Sequence, residues 1–153
     1  MSVLAFAASA QTLPTKVTSL LNKHYTGWKP ATGTCDARKW FLTGDFDGDG
    51  LKDFLVRVKA GRSTSSMRLS LIAFLGAKDG KYSASPILAE PFQGDLLRSS
   101  FSVISKGTRI QLGEGEGPSV TLANDAASQY ICQTDAIKTM IYEDGKWKNI
   151  YEQ

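Results

Sequence analysis

An acidic, glycine-rich stretch lies in the first half of the chain and reads Gly44-Asp45-Phe46-Asp47-Gly48-Asp49-Gly50-Leu51-Lys52-Asp53. Its four aspartates are separated by one or three residues, and its internal glycines allow the backbone to bend sharply between them. Several carboxylates brought together by a sharp turn are typical of sites for a hard cation. The stretch therefore predicts a metal-binding loop.

The spacing follows that of a calcium loop. Counted from the first aspartate, carboxylates fall at the first, third, fifth and ninth places, glycine at the sixth, and a backbone carbonyl is available at the seventh. The predicted calcium ligands are Asp45, Asp47, Asp49, the Leu51 carbonyl and Asp53. An EF-hand would have Glu at the twelfth place and a helix on each side, whereas Val56 stands there in a run that alternates like a strand. We therefore expect a strand-flanked calcium loop over residues 45–53.

The alternative is an Asp/Gly-rich turn whose carboxylates simply face water. Four like charges in nine residues repel one another, and only Lys52 stands among them. A divalent ion is the simplest way to hold them together. Magnesium fits less well than calcium because it prefers octahedral geometry and keeps several waters, whereas this loop offers many flexible oxygens.

Residues 44–85 resemble one repeat of the FG-GAP/VCBS type. In that family a loop of the form DxDGDGxxD leads into a strand, and a second apolar strand then ends in a turn before an aromatic residue. Here the second strand and turn correspond to residues 69–82, which end in Asp79-Gly80-Lys81-Tyr82. The resemblance implies calcium bound by the five residues named above. Family members stack several repeats into β-propellers, whereas this chain has one clear copy of the acidic loop. It also resembles small secreted bacterial proteins of uncharacterised function that carry a single such loop.

The composition is that of one ordinary globular domain. The chain has 153 residues, of which 42% are hydrophobic and 22% charged. The formal charge is +3 and the 18 basic residues are scattered, so a nucleic-acid partner is not expected. No stretch approaches the roughly 18 apolar residues of a membrane-spanning helix, so membrane insertion is not expected either. We expect a monomer.

The first ten residues are small and apolar and end in Ala8-Ser9-Ala10, a signal-peptidase pattern. We interpret residues 1–10 as a signal-peptide remnant and residues 11–153 as the folded domain, which predicts a secreted or periplasmic protein. Cys35 and Cys132 have no further Cys or His at metal-binding spacing, which disfavours zinc. In an exported protein we expect them to form a disulfide, the alternative being two buried free thiols.

The pattern beyond the loop predicts a mostly β (α+β) fold. A helical periodicity begins at 12–14 and ends before Gly27. Strands are then predicted over about 39–44, 53–60, 68–76, 81–88, 101–105, 108–113, 119–123, 136–143 and 146–151. Because crossover helices are lacking, we expect antiparallel sheets that form a sandwich or a blade-like pair, with the helix on one face or edge.

No catalytic signature is recognisable. The single histidine, His24, is expected to be a half-buried structural residue of the helix. A carboxylate pair for hydrolysis could be assembled from Glu90, Glu114, Glu116 or Glu143. The loop Gly113–Pro118 is expected to be a solvated turn, or else an accessory cation site. Tryptophans and tyrosines such as Trp28, Trp40 and Trp147 are expected to pack in the core, although they would also suit a carbohydrate- or protein-recognition face.

These observations favour a non-catalytic, exported binding module with a structural calcium ion and an unknown protein or carbohydrate partner. Two alternatives remain open. One is an envelope inhibitor or immunity-type protein that blocks an enzyme, and the other is a hydrolase that uses carboxylates.

Overall fold

Two antiparallel sheets and one short helix carry most of the described chain. The computed structural model describes residues 12–36, 39–63, 65–91, 94, 96–112, 117–134 and 136–152. The predicted signal remnant at residues 1–10 lies outside these ranges, and so do residues 113–116 of the predicted loop Gly113–Pro118. The elements are α1 (Thr15–His24), β1 (Lys29–Pro30), β2 (Phe41–Gly44), β3 (Asp53–Ala60), β4 (Arg68–Gly76), β5 (Tyr82–Pro91), β6 (Ser99–Ile104), β7 (Arg109–Gln111), β8 (Ser119–Thr121), β9 (Ala126–Ile131), β10 (Ile137–Glu143) and β11 (Lys146–Glu152).

The first sheet is built from strands between residues 29 and 91, and the second sheet from strands between residues 99 and 152. In the first sheet, β1 and β2 both pair with β3, which pairs with β4, and β4 pairs with β5. The second sheet has the order β11-β10-β9-β6, and β7 and β8 form a separate two-stranded sheet. Every pairing is antiparallel, which confirms the predicted fold class.

The first sheet is the middle layer, because both of its faces are covered. Alternate side chains of β3 and β4 point to opposite faces. One face packs against α1 through Phe54, Val56, Val58, Ile72 and Phe74. The other packs against the second sheet through Leu55, Leu69, Leu71, Ala73 and Leu75. Burial on both faces explains why these two strands are almost continuously apolar in sequence.

Two strands were missing from the sequence-based prediction. The short β1 pairs with the end of β3, and β9 is an inner strand of the second sheet. The prediction of no strand at 126–131 is therefore wrong. This segment reads Ala-Ala-Ser-Gln-Tyr-Ile, and its first four residues are not among those that favour strands, so no local pattern marks it. Gln129 is buried in it and its amide donates to the Ser99 hydroxyl at 2.7 Å.

A disulfide joins Cys35 to Cys132, as predicted, with a Cα–Cα distance of 6.1 Å. It connects the segment that follows β1 to the residue that follows β9, and so links the two sheets covalently. Hydrogen bonds support both ends, since the Thr34 N–H donates to the Leu97 carbonyl at 2.9 Å and the Cys132 N–H to the Arg98 carbonyl at 2.7 Å.

Candidate metal centre

The acidic loop is the connection between β2 and β3. The two strands pair up to Gly44 and Asp53, so that the ends of the loop are held side by side. Gly48 and Gly50 have φ angles of 80° and 81°, in the left-handed region that glycine adopts without steric cost. The glycines that bend the loop are therefore required by its conformation.

The loop brings three of the predicted ligands together. One carboxylate oxygen from each of Asp45, Asp47 and Asp49 lies within 4.8 Å of the others. The first two side chains are partly buried and the third is exposed. Three negative charges at this separation repel one another strongly.

Backbone N–H groups of the loop orient these carboxylates. The Gly50 N–H donates to Asp45 Oδ2 and the Asp49 N–H to Asp47 Oδ1, both at 3.1 Å, and the Leu51 N–H donates to Asp49 Oδ1 at 2.8 Å. Each carboxylate thus uses one oxygen within the loop. The second oxygen of Asp45, Oδ1, is buried and accepts no hydrogen bond from any residue that the structure describes. A buried acceptor without a donor is costly, and a cation at this point would satisfy it.

Burial raises the pKa of Asp47 above its ordinary value. The neighbouring charges of Asp49 and Asp45 raise this pKa further, whereas the hydrogen bond from the Asp49 N–H opposes the shift. The loop therefore makes ionisation of Asp47 less favourable than it is in water. A divalent cation would oppose this upward shift of the pKa.

Asp53 has a different position from the other three aspartates. Its side chain is fully buried, and both of its oxygens accept backbone N–H groups: Oδ2 from Phe46 at 2.8 Å and from Asp47 at 3.4 Å, and Oδ1 from Gly76 at 2.8 Å. It ties the base of the loop to the end of β4. The Leu51 N–H donates to Asp49 Oδ1, as described above, and this bond does not involve the Leu51 carbonyl that was predicted as a ligand. The assignment of Asp53 and the Leu51 carbonyl as ligands stays a prediction.

Phe46 fixes the loop to the protein core. It stands between two of the clustered aspartates, but its ring is fully buried in the core between the sheets. Its centroid lies 5.9 Å from that of Trp147 on β11. Sequence reasoning did not single out this residue, although an aromatic side chain between two ligands of a polar loop is a recognisable signal.

A second segment, residues 124–125, braces the loop from the other sheet. Asp125 Oδ2 accepts the Asp45 N–H at 3.0 Å, and the Asp125 N–H donates to the Asp45 carbonyl at 3.1 Å. Asp125 Oδ1 accepts the Lys106 N–H at 3.0 Å. Asn124 lies directly over Gly48, where a Cβ atom would collide with its side chain. Sequence analysis missed both bracing residues.

The other candidate residues lie elsewhere. His24 is exposed at the end of α1, so the expectation that it would be half-buried is wrong. Glu90 accepts the Leu96 N–H, and Glu143 forms an ion pair with Lys148 at 2.5 Å. Glu114 and Glu116 lie outside the described residues. The three tryptophans are partly buried against the two cores, as expected.

Among the helices of the described chain, none is long and apolar enough to cross a lipid bilayer. Comparison with known protein families, with curated proteins and with solved structures finds no match to this chain.

Proposed function

We propose that the protein is an exported, non-catalytic binding module in which the loop at residues 45–53 holds a structural calcium ion. The observation that carries this proposal is the environment of Asp45. Its Oδ1 atom is buried and accepts no hydrogen bond from the described chain. One carboxylate oxygen from each of Asp45, Asp47 and Asp49 also lies within 4.8 Å of the other two. A cation bound here would satisfy the buried oxygen and offset the repulsion.

Calcium suits this loop better than other common metal ions. The clustered ligand atoms are all carboxylate oxygens, and neither histidine nor cysteine contributes to the cluster, which disfavours zinc. Calcium accepts six to eight oxygens in flexible geometry, so water and backbone carbonyls would complete its shell. Magnesium demands stricter octahedral geometry.

The position of the loop supports a structural role for the ion. Asp45 is hydrogen-bonded to Asp125, 80 residues away, and Phe46 is buried between the two sheets. An ion on Asp45 would therefore stiffen the place where the sheets meet. Binding to the folded state alone raises its stability, by about 2.7 kcal/mol at a hundredfold excess of ion over Kd.

Export is proposed from the disulfide together with the apolar start of the chain. Disulfides persist mainly in oxidising compartments such as the periplasm or the extracellular space. The resemblance of residues 44–85 to a single FG-GAP/VCBS repeat supports the calcium part of the proposal, because it implies the same ligands in the same loop.

The test is a calorimetric titration of the calcium-free, full-length protein. We expect a Kd on the order of 10⁻⁴ to 10⁻³ M or tighter, as in extracellular modules, and a melting temperature that falls on chelation. The informative variant is Asp49→Asn. Asparagine keeps an oxygen for the Leu51 N–H but loses the charge, so calcium affinity should fall by about tenfold or more.

Asp79→Asn is the matched control. Asp79 also stands in an Asp-Gly turn and also accepts the N–H two residues further on, from Lys81 at 3.0 Å, but it lies outside the loop. Its replacement changes the net charge equally and should leave calcium binding intact. Lys52→Ala should leave binding unchanged or slightly tighter. A wild-type titration without calcium heat, together with a melting curve indifferent to chelator, would refute the metal site.

The non-catalytic part of the proposal has its own test. Hydrolytic turnover that copurifies with the protein and disappears in Glu90→Gln or Glu143→Gln would contradict it.

A further inference from the structure

A groove of about 230 Å³ lies beside the acidic loop, far larger than the roughly 10 to 15 Å³ that a single water requires. One wall is the end of β8 and the turn after it, residues 120–125. The other wall is the end of the β10–β11 hairpin, residues 141–145, and Asp47 of the acidic loop lines it as well.

The hairpin wall presents a free strand edge. β10 pairs with β11 as far as Glu143, but its pairing with β9 stops at Met140, which lies opposite Ala127. If the same register continued, Tyr142 would be the next residue of β10 to form hydrogen bonds on this side, and its partner would be Asp125. Asp125 instead donates its N–H to the Asp45 carbonyl. Because Asp125 is bonded to the acidic loop, it does not pair with β10, and this edge of β10 stays uncovered.

Alternation of hydrogen bonds shows which main-chain groups face the gap. The Ile131 N–H donates to the Ala136 carbonyl, so the main-chain N–H and C=O of Ala136 point toward β9. In an antiparallel strand every second residue points these groups to the same side. Tyr142 lies six residues after Ala136, so its groups also point to that side. Its N–H and C=O therefore point to where β9 has ended.

The opposite wall presents a second free edge. The Leu122 N–H donates to the Thr108 carbonyl, so Leu122 faces β7 and the adjacent Thr121 directs its N–H and C=O away from β7. Among the described strands, β8 pairs only with β7. Thr121 lines the groove. Two free strand edges on one groove are suited to receive an extended polypeptide by strand addition.

The charge of the groove indicates the chemistry of that polypeptide. Among the described residues that line it there are four carboxylates and no lysine, arginine or histidine, the acidic residues being Asp47, Asp125, Glu143 and Asp144. Lys148 pairs with Glu143 and with Asp144 at 3.0 Å and offsets one of the four charges. A calcium ion on the three clustered aspartates would still leave them with a net negative charge. The complementary occupant is therefore cationic.

We propose that this groove captures an extended, lysine- or arginine-bearing segment of a partner protein by strand addition next to the calcium loop. This inference rests on the proposed function, since it names the class of partner that the binding module takes. Main-chain hydrogen bonds to Thr121 and Tyr142 would hold the segment, and the groove carboxylates would select its basic side chains.

The test uses a synthetic peptide in which lysine alternates with valine, titrated into the isotopically labelled full-length protein with and without calcium. Binding followed by NMR should shift the amide signals of Thr121 and Tyr142 and slow their hydrogen exchange. A peptide with glutamate in place of lysine should not bind.

Charge variants sharpen the experiment. Asp144→Asn suits the left-handed turn position, where φ is 53°, and together with Glu143→Gln it should weaken peptide binding by about tenfold. Lys148→Gln should tighten binding, because it removes the cation that competes with the peptide. Asp79→Asn, which removes a charge from the other hairpin turn, should leave binding unchanged.

Several outcomes overturn the proposal. One is calcium binding without any peptide-dependent shift of the Thr121 or Tyr142 amide signals. That result would support the calcium site and refute peptide binding in the groove. Others are equal binding of the glutamate peptide, or shifts at these amides produced by a neutral oligosaccharide or by raising the protein concentration alone. Peptide binding at these amides in a protein that gives no calcium heat refutes the metal site and supports the groove.

Discussion

Burial and hydrogen bonding act in opposite directions on the buried carboxylate of Asp53. Burial raises its pKa to about 6, although N–H groups of Gly76, Phe46 and Asp47 lower it. The folded protein therefore holds a proton on Asp53 more tightly than the unfolded chain does, where the pKa is about 3.9. This contribution to stability is fully present below the unfolded value and is lost as the pH rises through about 6.

The predicted consequence concerns stability against pH in the presence of chelator. Relative to Asp53→Asn, the free energy of unfolding of the wild type should rise by about 1 kcal/mol as the pH falls from about 7 to about 5. The variant will be less stable at every pH, because its amide faces N–H donors, so the difference between the two proteins is the quantity to measure. Urea unfolding at several pH values provides it. A difference that stays constant over this range would contradict the assignment.

The ligand cluster could be predicted from sequence because its three aspartates lie within five residues of one another. Local spacing determines which side chains a tight loop brings together. The bracing residues Asn124 and Asp125 could not be predicted in the same way. They meet the loop only after both sheets have formed, and a contact across 80 residues leaves no local pattern.

At the scale of the elements, β3 carries a buried cation that ties several segments together. Arg57 is 2% exposed, and its guanidinium donates to four backbone carbonyls at 2.8 to 3.1 Å, those of Ala31, Leu96, Ser99 and Lys39. It also lies 5.0 Å from the ring centroid of Phe101 on β6. Burial lowers its pKa to about 10, so it remains charged at neutral pH. These contacts join β3 to the approaches of β2 and β6.

Replacing this arginine should be strongly destabilising. Arg57→Met leaves four carbonyls without their donor and should lower the free energy of unfolding by about 3 to 5 kcal/mol. Arg57→Lys should recover only part of the loss, because an ammonium group cannot reproduce the planar array of donors. Denaturant unfolding of the two variants measures both effects. A loss below about 1 kcal/mol for Arg57→Met would show that the carbonyls find other donors.

Most strands could be predicted, because apolar residues and turn residues mark them locally. The sequence pattern was less informative for the turns, because the dipeptide Asp-Gly forms two different backbone conformations in this protein. Asp144-Gly145 has positive φ at both residues and closes a two-residue turn between β10 and β11, whereas in the Asp79-Gly80 turn only the glycine has positive φ. The turn type depends on the register of the strands, which the dipeptide alone does not specify.

At the scale of the whole molecule, the disulfide adds a covalent cross-link between the two sheets. Its two cysteines are 97 residues apart in sequence. In the chain-entropy account, closing a loop of this length stabilises the folded state by about 4 to 5 kcal/mol. The bond therefore restricts the unfolded chain over almost two thirds of its length.

Removing the disulfide should lower stability substantially. The double variant Cys35→Ser, Cys132→Ser should lose about 2 to 5 kcal/mol in free energy of unfolding. It should also unfold with a steeper dependence on denaturant, since its unfolded state exposes more surface. Non-reducing peptide mapping of the wild type should recover one peptide that joins the two cysteines. Two freely alkylated thiols in that material would contradict the bridge.

The division of the chain into two sheets has a consequence for biogenesis. A nascent chain that has emerged from the ribosome or translocon as far as residue 98 contains every strand of the first sheet and none of the second. The leucine-rich face of β3 and β4 then has nothing to pack against, and Cys35 has no partner. Until the last third of the polypeptide arrives, this intermediate exposes an apolar sheet face and an unpaired thiol at the same time, and intermediates that expose apolar surface are prone to aggregate.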